Sequence, residues 1–287
     1  MNNIPNIEFN RLKPSKIEGF EVLDLETLQI KNKHSDHDPY AYHRLTFYVI
    51  FIITQGEVQH WVDFNSCQLK TGDSLLVSKG QIHAFDKKSN YQGYLVVFTD
   101  AFLLKHLSNS MLHKLEYLFD TFSGIKSFHS PTENNTLINV LNTELNSAPK
   151  EIAADLTSSL LSIYLLKLLV KNKDVNPILL DKNQEVFNKF RALVEKNYTQ
   201  TRDAKKYASD LHISYKHLNT ICKAITKNTA KAFIDNFVIL EGKRYLVAST
   251  DTVKEISYQL GFDEPTNFQK FFKKHTQLTA KEFRSHY

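Results

Sequence analysis

The chain has 287 residues, 42% hydrophobic and 23% charged, which excludes wholesale disorder and suggests about two domains. Its two cysteines exclude a disulfide scaffold, no apolar run reaches the ~18 residues of a membrane span, and the start lacks the basic-then-apolar order of a secretion signal, so a cytoplasmic protein is expected. The formal net charge of +5 is uneven: residues 184–287 hold 18 Lys and Arg against 11 Asp and Glu, residues 1–183 hold 18 against 20, and a basic third points to a polyanion or to a solvated basic face.

The first hundred residues read as strands. Leu45 to Thr54 is β-branched and aromatic, and Gln55-Gly56-Glu57 signals a turn. Val58, His60, Val62 and Phe64 then alternate with Gln59, Trp61 and Asp63. A turn at Asn65-Ser66 follows. Lys70-Thr71-Gly72-Asp73 leads into Ser74 to Ser78, Lys79-Gly80-Gln81 into Ile82 to Phe85, and Gln92 to Thr99 closes the run. Short strands at this spacing predict an all-β sandwich or barrel.

Helices follow. Asp100 is a cap candidate for a segment through Phe102, Leu103, Leu107 and Leu112. Glu133 to Asn146 and Glu151 to Val170 carry apolar stripes at helical spacing. The second stripe is broad enough for a partner helix, including one from a second subunit, as well as for its own core. Lys171 to Asn183 is polar, contains Pro177 and reads as a linker.

The last hundred residues repeat. Ala204 to Leu211 matches Val253 to Leu260 at an offset of 49, each with apolar residues at i, i+3 and i+7 and a small residue, Ala208 or Ser257, beside the second. His212 and Gly261 follow at positions suited to a left-handed backbone. A second helix comes next in each unit: Leu218, Ile221, Cys222 and Ile225 stripe the first, Phe268, Phe271 and Phe272 the second, now at an offset of 50. Ser214 and Asp263 are cap candidates. This is helix-turn-helix patterning, twice. Ala230 to Ser249 reads as a long helix between the copies, which would set two recognition helices into successive major grooves roughly 34 Å apart.

The run Glu255-Ile-Ser-Tyr-Gln-Leu-Gly-Phe-Asp-Glu-Pro-Thr-Asn-Phe-Gln-Lys-Phe-Phe-Lys-Lys274, with Phe283-Arg284, resembles the DNA-binding domain of the AraC/XylS family of bacterial transcriptional regulators. The resemblance covers about 100 residues. Lys227 and Gln277 stand where the family usually has Gly, Ala280 where Pro is usual, and Val238 where Arg is usual. It implies that Tyr215, Lys216, Asn219, Thr220 and Lys223 on the first recognition helix, and Thr266, Asn267, Gln269, Lys270, Lys273 and Lys274 on the second, face DNA. Asn and Gln can pair with adenine and Lys with guanine. Lys223, Lys273 and Lys274 could equally hold phosphate. Glu264 could accept from cytosine or cap its helix.

His43, the Phe47 to Ile53 strand, Gln55-Gly56, Lys70 to Asp73 and Gly80 to Phe85 resemble the cupin-like effector domain of many such regulators. The implied fold is α+β: a cupin-like β-barrel or sandwich with a helical dimerisation segment over 1–172, a linker over 173–183, and an all-α domain with two helix-turn-helix motifs over 184–287. His43, Tyr48, Trp61, His83, Phe85 and Phe98 are candidates to line an effector pocket, although buried aromatics and imidazoles serve a plain core equally well. The chain lacks the His-x-His pair of metal-dependent cupin enzymes, so no metal or other cofactor and no catalysis are expected. The partners implied are double-stranded DNA, a small effector, RNA polymerase and a second copy of the chain, with activation as the regulatory sense. Two alternatives remain at this stage: a metal-dependent cupin enzyme with a helical appendage, and a DNA-binding regulator governed by dimerisation or a protein partner without a ligand.

Overall fold

The computed structural model describes residues 6–9, 16–26, 40–86, 90–121, 124–171 and 182–287, apart from the side chains at 150, 151 and 182. Contacts divide the chain into a unit over Pro5–Asn176 and a unit over Pro177–Tyr287. The linker expected over 173–183 falls outside the described residues up to 181, and a helix begins at Lys182.

The first unit holds β1 (Asn6–Ile7), β2 (Phe20–Asp24), β3 (His43–Leu45), β4 (Tyr48–Val62), β5 (Asn65–Lys70), β6 (Asp73–Val77), β7 (Ile82–Phe85), β8 (Tyr91–Phe98) and β9 (Lys126–His129). They form one sheet that, among the described residues, does not close into a barrel. It folds over along β4, whose first part pairs with β6 and β8 and whose last part pairs with β5 and β7. The turn expected at Gln55-Gly56-Glu57 is therefore a bend inside one 15-residue strand. A register shift between Ile53 and Gln55 marks a bulge, and Gly56 takes φ 81 where a Cβ would stand 2.4 Å from the Asn90 carbonyl. A bulge bends and twists a strand without ending it.

Strand alternation sorts two cores. Val49, Phe51, Ile53, Val58, Val62, Leu75, Leu95 and Val97 pack inside the folded sheet. Ile50, Ile52, Leu76, Val96 and Phe98 face outward against helices. Burial on both faces explains why residues 47–53 read as an unbroken apolar run.

The helices are α1 (Asp100–His106), α2 (Asn109–Leu115), α3 (Pro131–Ser147) and α4 (Lys150–Lys171). Thr99, not Asp100, caps α1: its side chain accepts from the Phe102 N–H, and Asp100 sits in the first turn. In α4 the face carrying Leu161, Tyr164, Leu165 and Leu168 is buried, while Ile152, Leu156, Ile163 and Val170 are exposed. Apolar residues on both faces give Ile152–Lys171 a mean hydropathy of 1.5, enough by length and composition for a membrane span; the inward face belongs to the core of this unit. A buried polar link crosses that core: the Tyr164 hydroxyl donates to Asn134 Oδ1 (2.6 Å), and Asn134 Nδ2 donates to the Gly72 carbonyl (2.9 Å).

The second unit is all helical, with α5 (Lys182–Asn197), α6 (Ala204–Asp210), α7 (Tyr215–Thr226), α8 (Ala230–Ala248), α9 (Val253–Gln259), α10 (Pro265–Thr276) and α11 (Ala280–Ser285). Aromatic rings build its core at both ends. Phe190 lies 5.8 Å from Tyr207 and 5.4 Å from Phe233, centroid to centroid; Phe268 and Phe283 each lie 5.6 Å from Phe272.

Candidate nucleic-acid interface and effector site

The two helix-turn-helix units repeat down to single hydrogen bonds. In the first turn His212 takes φ 56 and the Ile213 N–H donates to the Ala208 carbonyl (3.0 Å). In the second Gly261 takes φ 76 and the Phe262 N–H donates to the Ser257 carbonyl (3.0 Å). Ser214 caps α7, accepting from the His217 N–H (3.1 Å). The second recognition helix differs: Glu264, not Asp263, occupies the cap position, no side chain caps it, and Pro265 opens the helix with its fixed φ.

The repeat also extends to a third helix, which the sequence reading missed. Thr229 caps α8 through the Ala232 N–H, and Thr279 caps α11 through the Glu282 N–H, both at 3.1 Å. The signal was present: Thr-Ala-Lys-Ala-Phe at 229–233 and Thr-Ala-Lys-Glu-Phe at 279–283. Just before each, Lys227 and Gln277 close the recognition helix in the left-handed conformation, at φ 62 and 64.

The units are locked together. An Arg202 N–H donates to the Gly261 carbonyl (3.0 Å), and the guanidinium lies 3.8 Å from the Phe262 ring centroid. A Cβ on Gly261 would meet the Thr199 carbonyl at 1.9 Å, so the turn fits only as glycine. Arg284 ties α11 to the end of α8, donating to the Leu246 carbonyl (2.7 Å) and the Asp251 carbonyl (2.6 Å). Between the units a cleft of about 980 Å³ is lined by Arg202, Lys205, Tyr215, Lys231, Tyr258 and Phe262 among others.

The sequence-chosen DNA residues fall on one face of each recognition helix. Tyr215, Lys216, Thr220 and Lys223 are exposed on α7, opposite the buried Leu218 and Ile221. Thr266, Asn267, Gln269, Lys270, Lys273 and Lys274 are exposed on α10, opposite Phe268 and Phe272. Asn219 is the exception: it is half-buried, and its Oδ1 accepts from the Ala230 N–H (2.9 Å). Five lysines on these two faces supply the positive charge that a phosphate backbone needs.

The effector candidates divide. His43 stands directly opposite His83 in the β3–β7 pair, ring centroids 4.2 Å apart. His83 Nδ1 lies 3.2 Å from His60 Nε2, and Phe51 and Phe85 pack around the imidazoles. Burial, and secondarily the charge of His43, pushes His60 down to about 3, so its ring is neutral. In the His60–His83 pair one nitrogen donates and the other accepts. His43 Nδ1 lies 3.0 Å from the Ala41 carbonyl.

Tyr48 and Phe98 are elsewhere. They stack on each other (5.4 Å) and against Phe119 on the outer, helix-covered side, and the Tyr48 hydroxyl donates to Asp100 (2.9 Å). Trp61 is half-buried and neighbours His60 along the strand, hence faces the opposite side. The bulge in β4 changes which residues of that strand point inward. Before it odd-numbered residues point inward, after it even-numbered ones do, so counting across it misassigns faces. Phe51 and His60 join the group although neither is among the effector candidates; the sequence sets His60 on a strand with Val58 and Val62, beside His43 and His83 as a third strand histidine. Among the described residues no group of three His, Cys, Asp or Glu is arranged to hold a metal ion.

Two family models match the chain: an AraC-like ligand binding domain over residues 30–118 and a helix-turn-helix domain over 207–286. The lactose operon transcription activator of Staphylococcus xylosus is 21% identical over 245 residues, 83% of this chain and 84% of that protein. ToxT from Vibrio cholerae is similar in structure with a TM-score of 0.48 at 14% identity, over 93% of this chain and 98% of ToxT. The C-terminal domain of the response regulator yesN from Fusobacterium nucleatum gives a TM-score of 0.31 at 24% identity, over 33% of this chain and 93% of that domain. With an AraC-like ligand binding domain ahead of a doubled helix-turn-helix, the chain belongs to the AraC/XylS family of DNA-binding transcription regulators.

Proposed function

We propose that the protein activates transcription in the cytoplasm by binding a specific duplex site as a homodimer, under control of a small effector held in the folded sheet, and has no catalytic role. The observation that carries this reading is the pair of repeated units, each with an exposed polar face on its second helix. On this reading α7 and α10 enter successive major grooves. Tyr215, Lys216, Thr220 and Lys223 serve the first half-site, and Thr266, Asn267, Gln269, Lys270, Lys273 and Lys274 the second. Lysines at the helix ends hold phosphate and set register.

The effector site is proposed around His43, His60, His83 and Phe85, where imidazoles, that of His60 kept neutral by burial, offer hydrogen bonds inside an apolar surround. The homodimer is proposed from the exposed stripe of α4, and a contact with RNA polymerase from activation itself. An effector acts here only if it favours one arrangement of the protein over another.

The test is selection of bound sequences from a random duplex pool at two salt concentrations. A bipartite motif with its parts about one helical turn apart is expected. Binding that enriches no sequence and vanishes as salt rises would reduce the reading to phosphate attraction alone.

A further inference from the structure

The two recognition helices are related by sequence, yet the structure treats their carboxamides differently. Along α7 the one carboxamide is Asn219; along α10 there are two, Asn267 and Gln269, and Gln269 stands at the position equivalent to Asn219. Reading adenine with a carboxamide needs both of its ends: the oxygen accepts from N6 and the nitrogen donates to N7. In Asn219 the oxygen is turned toward the start of α8, where it accepts from the Ala230 N–H at 2.9 Å. Ala230 is fully buried, so water cannot replace that acceptor. Freeing the carboxamide would strand a buried donor, which costs about as much as one good base contact returns. Asn267 and Gln269 are exposed.

We propose that the two units divide the work: α10 reads adenine through Asn267 and Gln269, while Asn219 is a clamp that joins α7 to α8 and leaves the first unit to read by Tyr215, Lys216, His217, Thr220 and Lys223, without a carboxamide. His217 is exposed and occupies the place of Asn267 in the first unit. Lysine contributes a point charge where a carboxamide contributes a two-pronged pattern. The half-site under α10 is therefore adenine-bearing and strict, and the half-site under α7 is permissive. This rests on the proposal that α7 and α10 are the groove helices.

The experiment compares selection from a random duplex pool for the full-length protein and for Asn219→Asp, Asn267→Ala and Gln269→Ala, with thermal unfolding of each and of Asn219→Ala. Asp at 219 keeps the acceptor for Ala230 and removes the amide donor. It is expected to lower affinity evenly through its charge and leave every base preference in place. Asn267→Ala and Gln269→Ala are each expected to lose about tenfold or more of the discrimination at one position in the same half-site. Asn219→Ala is expected to lower the unfolding midpoint by about 5 °C, which Asn219→Asp is not. A change of preferred base at any position with Asn219→Asp overturns the division while leaving groove binding intact. A wild-type protein that enriches no motif removes the groove proposal and the division with it.

Discussion

A buried histidine shows how far a single side chain can govern conditions of use. His60 lies inside the folded sheet and is pushed down to about 3 from an ordinary 6.5. Its folded form therefore refuses a proton that the unfolded chain accepts. Above pH 6.5 the group is neutral in both states and costs nothing; below it the unfolded state gains, and stability falls steadily until the folded pKa is reached. By pH 5 the loss is about 2 kcal/mol from this residue. Urea midpoints at pH 7.5 and pH 5 should differ accordingly in the wild type, and the gap should shrink in His60→Phe; an equal gap in both would assign acid sensitivity to other groups. At the other end of the chain Gln277 ends α10 with φ 64, a conformation that costs a side-chain-bearing residue about 1–2 kcal/mol. Gln277→Gly relieves it, and also frees the unfolded chain, so a net stabilisation of about 0.5–1 kcal/mol is expected in thermal unfolding. The left-handed turns at His212 and Gly261 were legible in the sequence because the residue types there are few. The commitment of Asn219 was not: a side chain on an exposed-looking helix position gives no sign of the backbone N–H that another element brings to it.

Among the elements, α4 invites pairing. Ile152, Leu156, Ser159, Ile163, Leu166 and Val170 follow one another in steps of four and three, the rhythm of a helix seam. Its opposite face is already buried in the unit's own core. Asp155 flanks one end of the seam and Lys167 the other, so an antiparallel copy would set each against the other's partner. Leu156→Glu with Ile163→Glu, both exposed at present, should leave the fold unchanged by circular dichroism and convert the proposed dimer to a monomer in sedimentation. A dimer that survives would place the contact elsewhere. Helices of this kind were readable from periodicity to within two or three residues. The sheet was less so. Its longest strand carries a turn signal at its bulge, and only the pairing of that strand with β5, β6, β7 and β8 tells a bend from a hairpin. Tyr48, Trp61 and Phe98 lie away from the imidazoles because grouping aromatics by residue type ignores the alternation: Tyr48 and Phe98 pair across β4 and β8 on the outer face, and Trp61 alternates with His60.

At the scale of the whole molecule, sequence and structure agree most closely where one pattern is written twice. The offset between the units is 49 up to Ile213 and Phe262 and 50 from the caps Ser214 and Glu264 onward, because Asp263 is one extra residue in the second turn. The lock between the units has a consequence for the DNA. Gly261 against Thr199, and Arg202 against Gly261 and Phe262, join the two recognition units and oppose an independent swing of their helices. A protein built this way is a rigid caliper, and the duplex must supply the matching phase. One base pair added between the half-sites rotates the second groove by about 35° and shifts it by about 3.4 Å. Operators with one inserted base pair should therefore bind about as weakly as operators missing a half-site, measured by competition against the parent sequence. Evolution of such a site can change its letters one at a time, but its spacing only by replacing the site.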